Sequence, residues 1–97
     1  MPASLTTQLD DANAVPYFLW DEPMTVADLR SRLTSASAPE RARLLGKILR
    51  EARDTDVWRF TTPREVSDRW GEIERHLGRR RGFWEYLLGR WREDGLL

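Results

Sequence analysis

A broad apolar stripe in the middle of the chain constrains the fold more than any other feature. Between Pro39 and Arg53 the apolar residues follow the spacing i, i+1, i+4, i+5 and i+8; they are Leu44, Leu45, Ile48, Leu49 and Ala52. This spacing places them on one broad face of an α-helix. The stripe therefore predicts a helix over about 39–53, whose apolar face the rest of the chain must cover.

Gly46 interrupts this helix away from the apolar face. A glycine inside a helix costs about 1 kcal/mol relative to alanine. Two interpretations are open: the site tolerates that loss, or the backbone of a partner comes close there.

Three further helices are indicated by capping signals and apolar stripes. Thr25 to Asp28 resembles a capping box and predicts a helix over about 26–33. Thr62 to Glu65 forms a full capping box with Pro at the first helical position, and Gly78 is a natural stop. The third helix carries the stripe Val66, Trp70, Ile73 and Leu77. The fourth runs from about Arg79 toward Asp94 with Phe83, Trp84, Leu87, Leu88 and Trp91 on its core face.

These elements predict an all-α fold, a small bundle of three to four helices with an extended N-terminal arm. Residues 1–15 are polar and small with no apolar period, so we expect a flexible arm there and a single helical domain over 16–97. Val57–Phe60 is expected to be an extended plug. Four tryptophans are expected to share one core: Trp58, Trp70, Trp84 and Trp91.

Composition excludes several classes of protein. The 97 residues carry 16 basic and 16 acidic side chains, so global charge does not indicate a nucleic-acid binder. The chain has no Cys, which fits a reducing cytoplasm. The longest run of aromatic and aliphatic residues, Tyr17–Trp20, is too short to span a membrane.

Catalytic motifs are missing from the sequence. His76 is the only His and has no Cys near it, and Glu72 and Glu74 point apart on a helix. The sequence contains neither a Gly-rich phosphate loop nor a nucleophile elbow. We therefore expect no enzyme, no cofactor and no metal site.

Seven residues are candidates for contact with a partner: Tyr17, Phe18, Trp20, Arg79, Arg80, Arg81 and Tyr86. The aromatic run between Pro16 and Pro23 either covers the protein's own core or docks on another protein. The three arginines oppose the positive end of a helix dipole, so they need internal carboxylates, an acidic partner surface or phosphate. Tyr86 lies with Gly82 and Gly89 on the helix face opposite the core, which is either solvated or a contact surface.

Three segments together resemble a known family. PYFLWD (Pro16–Asp21), LLGKILREARDTDVWRF (Leu44–Phe60) and HLGRRRGFWEYLLGRW (His76–Trp91) are similar to small bacterial proteins encoded beside AbiEii/MenT-type nucleotidyltransferases. These are the MenA-like antitoxins, and the similarity covers about residues 15–97. The resemblance implies a protein that binds and neutralises a cognate toxin, one that attaches nucleotides to tRNA. It supplies no inhibitory residues to carry over, and no winged helix is evident.

Two other functions remain open. One is a small nucleic-acid-binding regulator that uses the helix pair around Gly78, whose binding would weaken steeply with salt. The other is a structural subunit of a larger enzyme. Stable association with a nucleotidyltransferase would favour the antitoxin.

Overall fold

A computed structural model of the chain describes residues 5–97 and contains a mostly helical globule built around one central helix. That helix, α2 (Ala38–Glu51), begins after Ser37, whose Oγ accepts a hydrogen bond from the Glu40 backbone N–H at 3.4 Å. Every residue of the predicted stripe is buried. The prediction for α2 is therefore confirmed to within two residues at each end.

Helix α1 (Val26–Ser35) packs against α2, and its capping prediction is confirmed. The Asp28 backbone N–H donates to Thr25 Oγ1 at 3.1 Å. Two further N–H groups at the start of α1 donate to the segment before it. The Val26 N–H donates to the Ala14 carbonyl and the Ala27 N–H to the Ala12 carbonyl, both at 3.0 Å. These bonds satisfy donors that a helix start leaves free.

The prediction of a loose arm up to residue 15 is wrong from residue 5 onward. The short strands β1 (Leu5–Thr6) and β2 (Val15–Pro16) pair in parallel, with Leu5 opposite Val15. Leu9, at 2% exposure, belongs to the core. A single buried leucine in a polar segment leaves no period to detect, which is why the sequence suggested a flexible arm. Residues 1–4, the rest of that arm, lie outside the described part of the chain.

The extended plug over Val57–Phe60 is also wrong. A one-turn helix, α3 (Asp54–Val57), follows α2, and the backbone then turns through Trp58. Asp54 and Asp56 lie in the first turn of α3, where carboxylates favour a helix start. Asp54 and Asp56 therefore lie in a new helical turn just after α2 ends.

The predicted third helix is divided into α4 (Pro63–Asp68), α5 (Trp70–Ile73) and a 3-10 turn (Glu74–His76). The cap is as predicted, since the Glu65 backbone N–H donates to Thr62 Oγ1 at 3.1 Å. The helix breaks at Arg69, where φ is −105° and ψ is 14°. Val66, Ile73 and Leu77 all stay buried across the break, and both α5 and the 3-10 turn pack against α2.

Helix α6 (Arg81–Glu93) follows a 3-10 turn over Gly78–Arg80 and closes the core. Gly78 has φ +54°, which only glycine adopts easily, as its predicted role as a stop requires. Trp84 is fully buried and donates its indole N–H to the Leu49 carbonyl at 2.8 Å. Phe83, assigned to the core face, is instead 39% exposed.

The shared tryptophan core is confirmed. The Trp58 ring lies edge-on to Trp84 at 5.7 Å between ring centroids and 5.9 Å from Trp91. Trp58, Trp70 and Trp91 are partly buried and pack against the cluster that contains Trp84.

Candidate partner-binding site

The chain directly after β2 forms a 3-10 turn, Tyr17–Leu19, and then presents Trp20 to solvent. Phe18 and Leu19 are buried in the core, whereas Trp20 is 63% exposed. Phe18 is therefore a core residue, and its assignment to a contact surface is wrong. The middle of the aromatic run therefore covers the core, as one interpretation predicted, and its last residue faces solvent. Docking on another protein stays a prediction for Trp20.

Tyr17 fixes one end of this turn. Its hydroxyl donates to Asp56 Oδ2 at 2.6 Å and accepts the Arg53 backbone N–H at 2.7 Å. Partial burial and the neighbouring Asp56 carboxylate raise the pKa of Tyr17, against the lowering effect of the Arg53 bond. Tyr17 thus serves the protein's own structure and leaves Trp20 as the free aromatic of the run.

A cluster of five charged residues fixes the other end of the turn. Lys47, which is 5% exposed, donates to Asp21 Oδ1 at 2.5 Å and to Glu22 Oε1 at 3.3 Å. Arg43 binds both oxygens of Glu22, at 2.9 Å and 2.5 Å, and also pairs with Glu40. We call these residues the ion cluster: Asp21, Glu22, Glu40, Arg43 and Lys47.

The ion cluster holds its carboxylates strongly ionised. Hydrogen bonds from Arg43 lower the pKa of Glu22 to about 2. The bond from Lys47 lowers the pKa of Asp21, and that from Arg43 lowers the pKa of Glu40. This cluster is not among the features predicted from the sequence. The one available signal was that Lys47, the only lysine of the chain, lies in the most apolar part of α2.

The arginine run before α6 is largely used inside the molecule. Arg80 pairs with Asp54, and its guanidinium lies over the Phe83 ring at 4.5 Å. Arg81 pairs with Glu74 at 3.1 Å and with Glu85 at 3.8 Å. Over residues 5–97 Arg79 forms no ion pair and is exposed. Within residues 5–97, Arg79 is therefore the one predicted contact arginine that forms no ion pair.

Tyr86 stands on the outer face of α6 and is 69% exposed. It borders a shallow groove of about 360 Å³ with Gly82, Glu85, Gly89, Arg90 and Glu93. A Cβ added at Gly82 or Gly89 would meet nothing within 4 Å. This face of α6 is therefore open above both glycines.

His76 packs against α2 at the position of Gly46. The His76 backbone carbonyl accepts a hydrogen bond from Arg50 Nη1 at 2.7 Å. Burial lowers the pKa of the His76 imidazole, and the positive charges of Arg75, Arg50 and Arg43 lower it further. In the part of the chain that the structure describes, no group of three or more His, Asp or Glu residues is arranged to hold a metal ion. None of the helices described is long and apolar enough to cross a membrane.

The structure separates the predicted contact residues into two groups. Tyr17, Phe18 and Trp20 share the turn after β2, whereas the three arginines and Tyr86 belong to α6 and the turn before it. Of these candidates, the exposed large hydrophobic residues are Trp20 and Tyr86.

Comparison with known proteins adds no relative to this description. The chain matches no family model, no curated protein and no solved structure.

Proposed function

We propose that this chain is a non-enzymatic, antitoxin-like protein of the cytoplasm that binds and neutralises a nucleotidyltransferase toxin of the tRNA-modifying type. The toxin class rests on the resemblance of three segments to MenA-like antitoxins. The observation that carries a binding function is Trp20, an exposed tryptophan on a turn held rigidly at both ends.

Rigid presentation favours Trp20 as a contact residue. Tryptophan is enriched among the residues that dominate protein interfaces. Because Tyr17 and the ion cluster already fix the turn, binding would cost little ordering of its backbone. The isolated fold gains little from the exposed indole, whereas a partner pocket would bury it.

Charge next to Trp20 suits a toxin of this class. A nucleotidyltransferase binds a nucleoside triphosphate and tRNA, so its cleft attracts anions. The Asp21 side chain is 44% exposed directly after Trp20, and the ion cluster contains three carboxylates against two cations. An acidic rim around an aromatic anchor would complement a basic cleft.

The nucleic-acid regulator has less support. That function would need the arginines around Gly78 to face phosphate, yet Arg80 and Arg81 are occupied by Asp54, Glu74 and Glu85. We therefore favour a protein partner.

Co-expression tests the proposal. We expect the wild-type chain to restore growth to bacteria that express a MenT-type nucleotidyltransferase encoded next to it, and to co-purify with that toxin. Trp20→Ala should weaken the complex by roughly thirtyfold or more, as is typical of a dominant interface residue. Leu96→Ala is a matched control, because Leu96 is also exposed but lies at the chain end. If the wild-type chain neither restores growth nor forms a complex, the proposal is wrong.

A further inference from the structure

The outer face of α6 has a form that its own fold does not use. Gly82, Glu85, Tyr86 and Gly89 follow the spacing i, i+3, i+4 and i+7, which is the outline of the hole that receives a side chain in helix packing. Two of the four residues are glycines with open space above them. A second helix can therefore approach the α6 backbone closely at this face.

Charges at the two ends of this face are arranged symmetrically about Tyr86. Arg79 lies seven residues before Tyr86 and Glu93 lies seven residues after it. Both are exposed, and neither forms an ion pair within residues 5–97. Each is also of the sign that its end of the helix dipole disfavours, a cation before the first turn and an anion in the last.

We propose that α6 pairs with α6 of a second copy of this chain, antiparallel, with the two-fold axis passing at Tyr86. In this arrangement Arg79 of each copy lies opposite Glu93 of the other, so both unpaired charges gain a partner. The antiparallel order also places each helix end beside the opposite pole of its neighbour. The inference goes beyond toxin binding, which the proposed function assigns to Trp20.

The same alignment suits the remaining side chains. Phe83, which is 39% exposed, comes opposite Gly89 of the other copy, and Arg90 comes opposite Gly82. Phe83 thus meets a glycine, and the two Tyr86 side chains lie next to each other at the axis. A face that is self-complementary in this way is what a two-fold interface requires.

Self-complementarity is the reason to choose a second copy over another protein. An unrelated partner would need a hole for Tyr86 and a matched pair of charges, whereas α6 itself supplies both. One helix face buries less surface than a permanent dimer does, so we expect a dimer that dissociates on dilution.

Sedimentation of the full chain at increasing concentration tests the dimer. Wild type should shift from monomer to dimer, and Tyr86→Ala and Gly89→Gln should each raise the dissociation constant by roughly tenfold or more. Gly71→Gln is the matched control, because Gly71 also has nothing within 4 Å of its added Cβ but lies in α5. A wild-type chain that stays monomeric at its highest soluble concentration overturns the proposal. A dimer that survives both variants overturns the use of this face.

Charge reversal tests the antiparallel alignment. Arg79→Glu alone and Glu93→Arg alone should each dimerise poorly, because like charges then meet at both ends of the pair. A mixture of the two variants should form a heterodimer. In it, the two acidic ends of the Arg79→Glu copy face the two basic ends of the Glu93→Arg copy. The double variant should dimerise like wild type. Absence of recovery in the mixture, with both variants folded by circular dichroism, overturns the alignment.

Discussion

Gly46 in α2 and Gly89 in α6 are both glycines inside long helices, yet their surroundings differ completely. A Cβ at Gly46 would lie 2.3 Å from the His76 Cβ, whereas one at Gly89 would meet nothing within 4 Å. The close neighbour at Gly46 belongs to this same chain, so no partner is needed to explain that glycine. The fold requires Gly46, but it does not require Gly89. The contrast separates a helix that organises the core from a helix face that is free for contact.

The largest expected effect compares the two faces of α6. Trp84→Ala should lower the free energy of unfolding by about 3–5 kcal/mol, because a fully buried ring and its bond to Leu49 are lost. Tyr86→Ala, two residues along the helix but exposed, should change it by less than about 0.5 kcal/mol. Urea unfolding of dilute samples measures both. Similar losses in the two variants would show that the outer face belongs to the core.

Replacing glycine by alanine should change the stability of the protein in opposite directions at α2 and α6. Gly46→Ala should destabilise the protein by about 1–3 kcal/mol through overlap with His76, although alanine favours helices. Gly89→Ala should stabilise the isolated chain by about 0.5–1 kcal/mol. Thermal unfolding of the two variants beside wild type measures both changes in stability. A gain in stability at Gly46 would mean that His76 moves aside without cost.

Acid should weaken the attachment of the turn after β2 to α2. The pKa of Glu22 falls from 4.5 to about 2 on folding, so its stabilising contribution is complete above pH 4.5 and is lost as the pH falls toward 2. Allowing for solvent screening, we expect the contribution to be about 1–2 kcal/mol. Glu22→Gln should therefore be less stable than wild type at pH 7, with a difference that shrinks as the pH approaches 2. A difference that stays constant over this range would exclude ionic pairing with Arg43 as the cause.

The smallest expected effect concerns Trp20. Trp20→Ala should change the free energy of unfolding by less than about 0.5 kcal/mol, because the indole is mostly in solvent. Chemical denaturation at neutral pH measures it. A loss above 1 kcal/mol would place Trp20 with Phe18, among the residues that hold the fold together.

Local signals predicted the helices well because those signals are contained within a few residues. The apolar stripe of α2 and the caps at Thr25 and Thr62 each depend on neighbours within one or two turns. The break at Arg69 and the burial of Leu9 depend instead on how distant segments meet, and no local pattern reports that. The same holds for Phe83, which lies at the edge of a face whose limits are set by packing.

The candidate site was predicted only in part for a related reason. Exposed and buried aromatics look alike in a sequence, so Phe18 and Trp20 were assigned together although one is core and the other is free. The sequence predicts that Arg80 and Arg81 need internal carboxylates, an acidic partner surface or phosphate, and only the structure identifies Asp54 as the partner of Arg80. In the ion cluster, Asp21 and Glu22 lie more than 20 positions from the Arg43 and Lys47 side chains that they bind, and charge patterns carry no pairing information over that distance.

The most direct test of the central claim is the dissociation constant of the toxin complex for wild type and Trp20→Ala, measured by surface plasmon resonance on immobilised nucleotidyltransferase. We expect tight binding by wild type and a roughly thirtyfold or greater weakening in the variant, mostly through faster dissociation. We also expect the variant to remain as stable as wild type. Equal dissociation constants for the two proteins would contradict the claim that Trp20 is the residue through which this chain holds its partner.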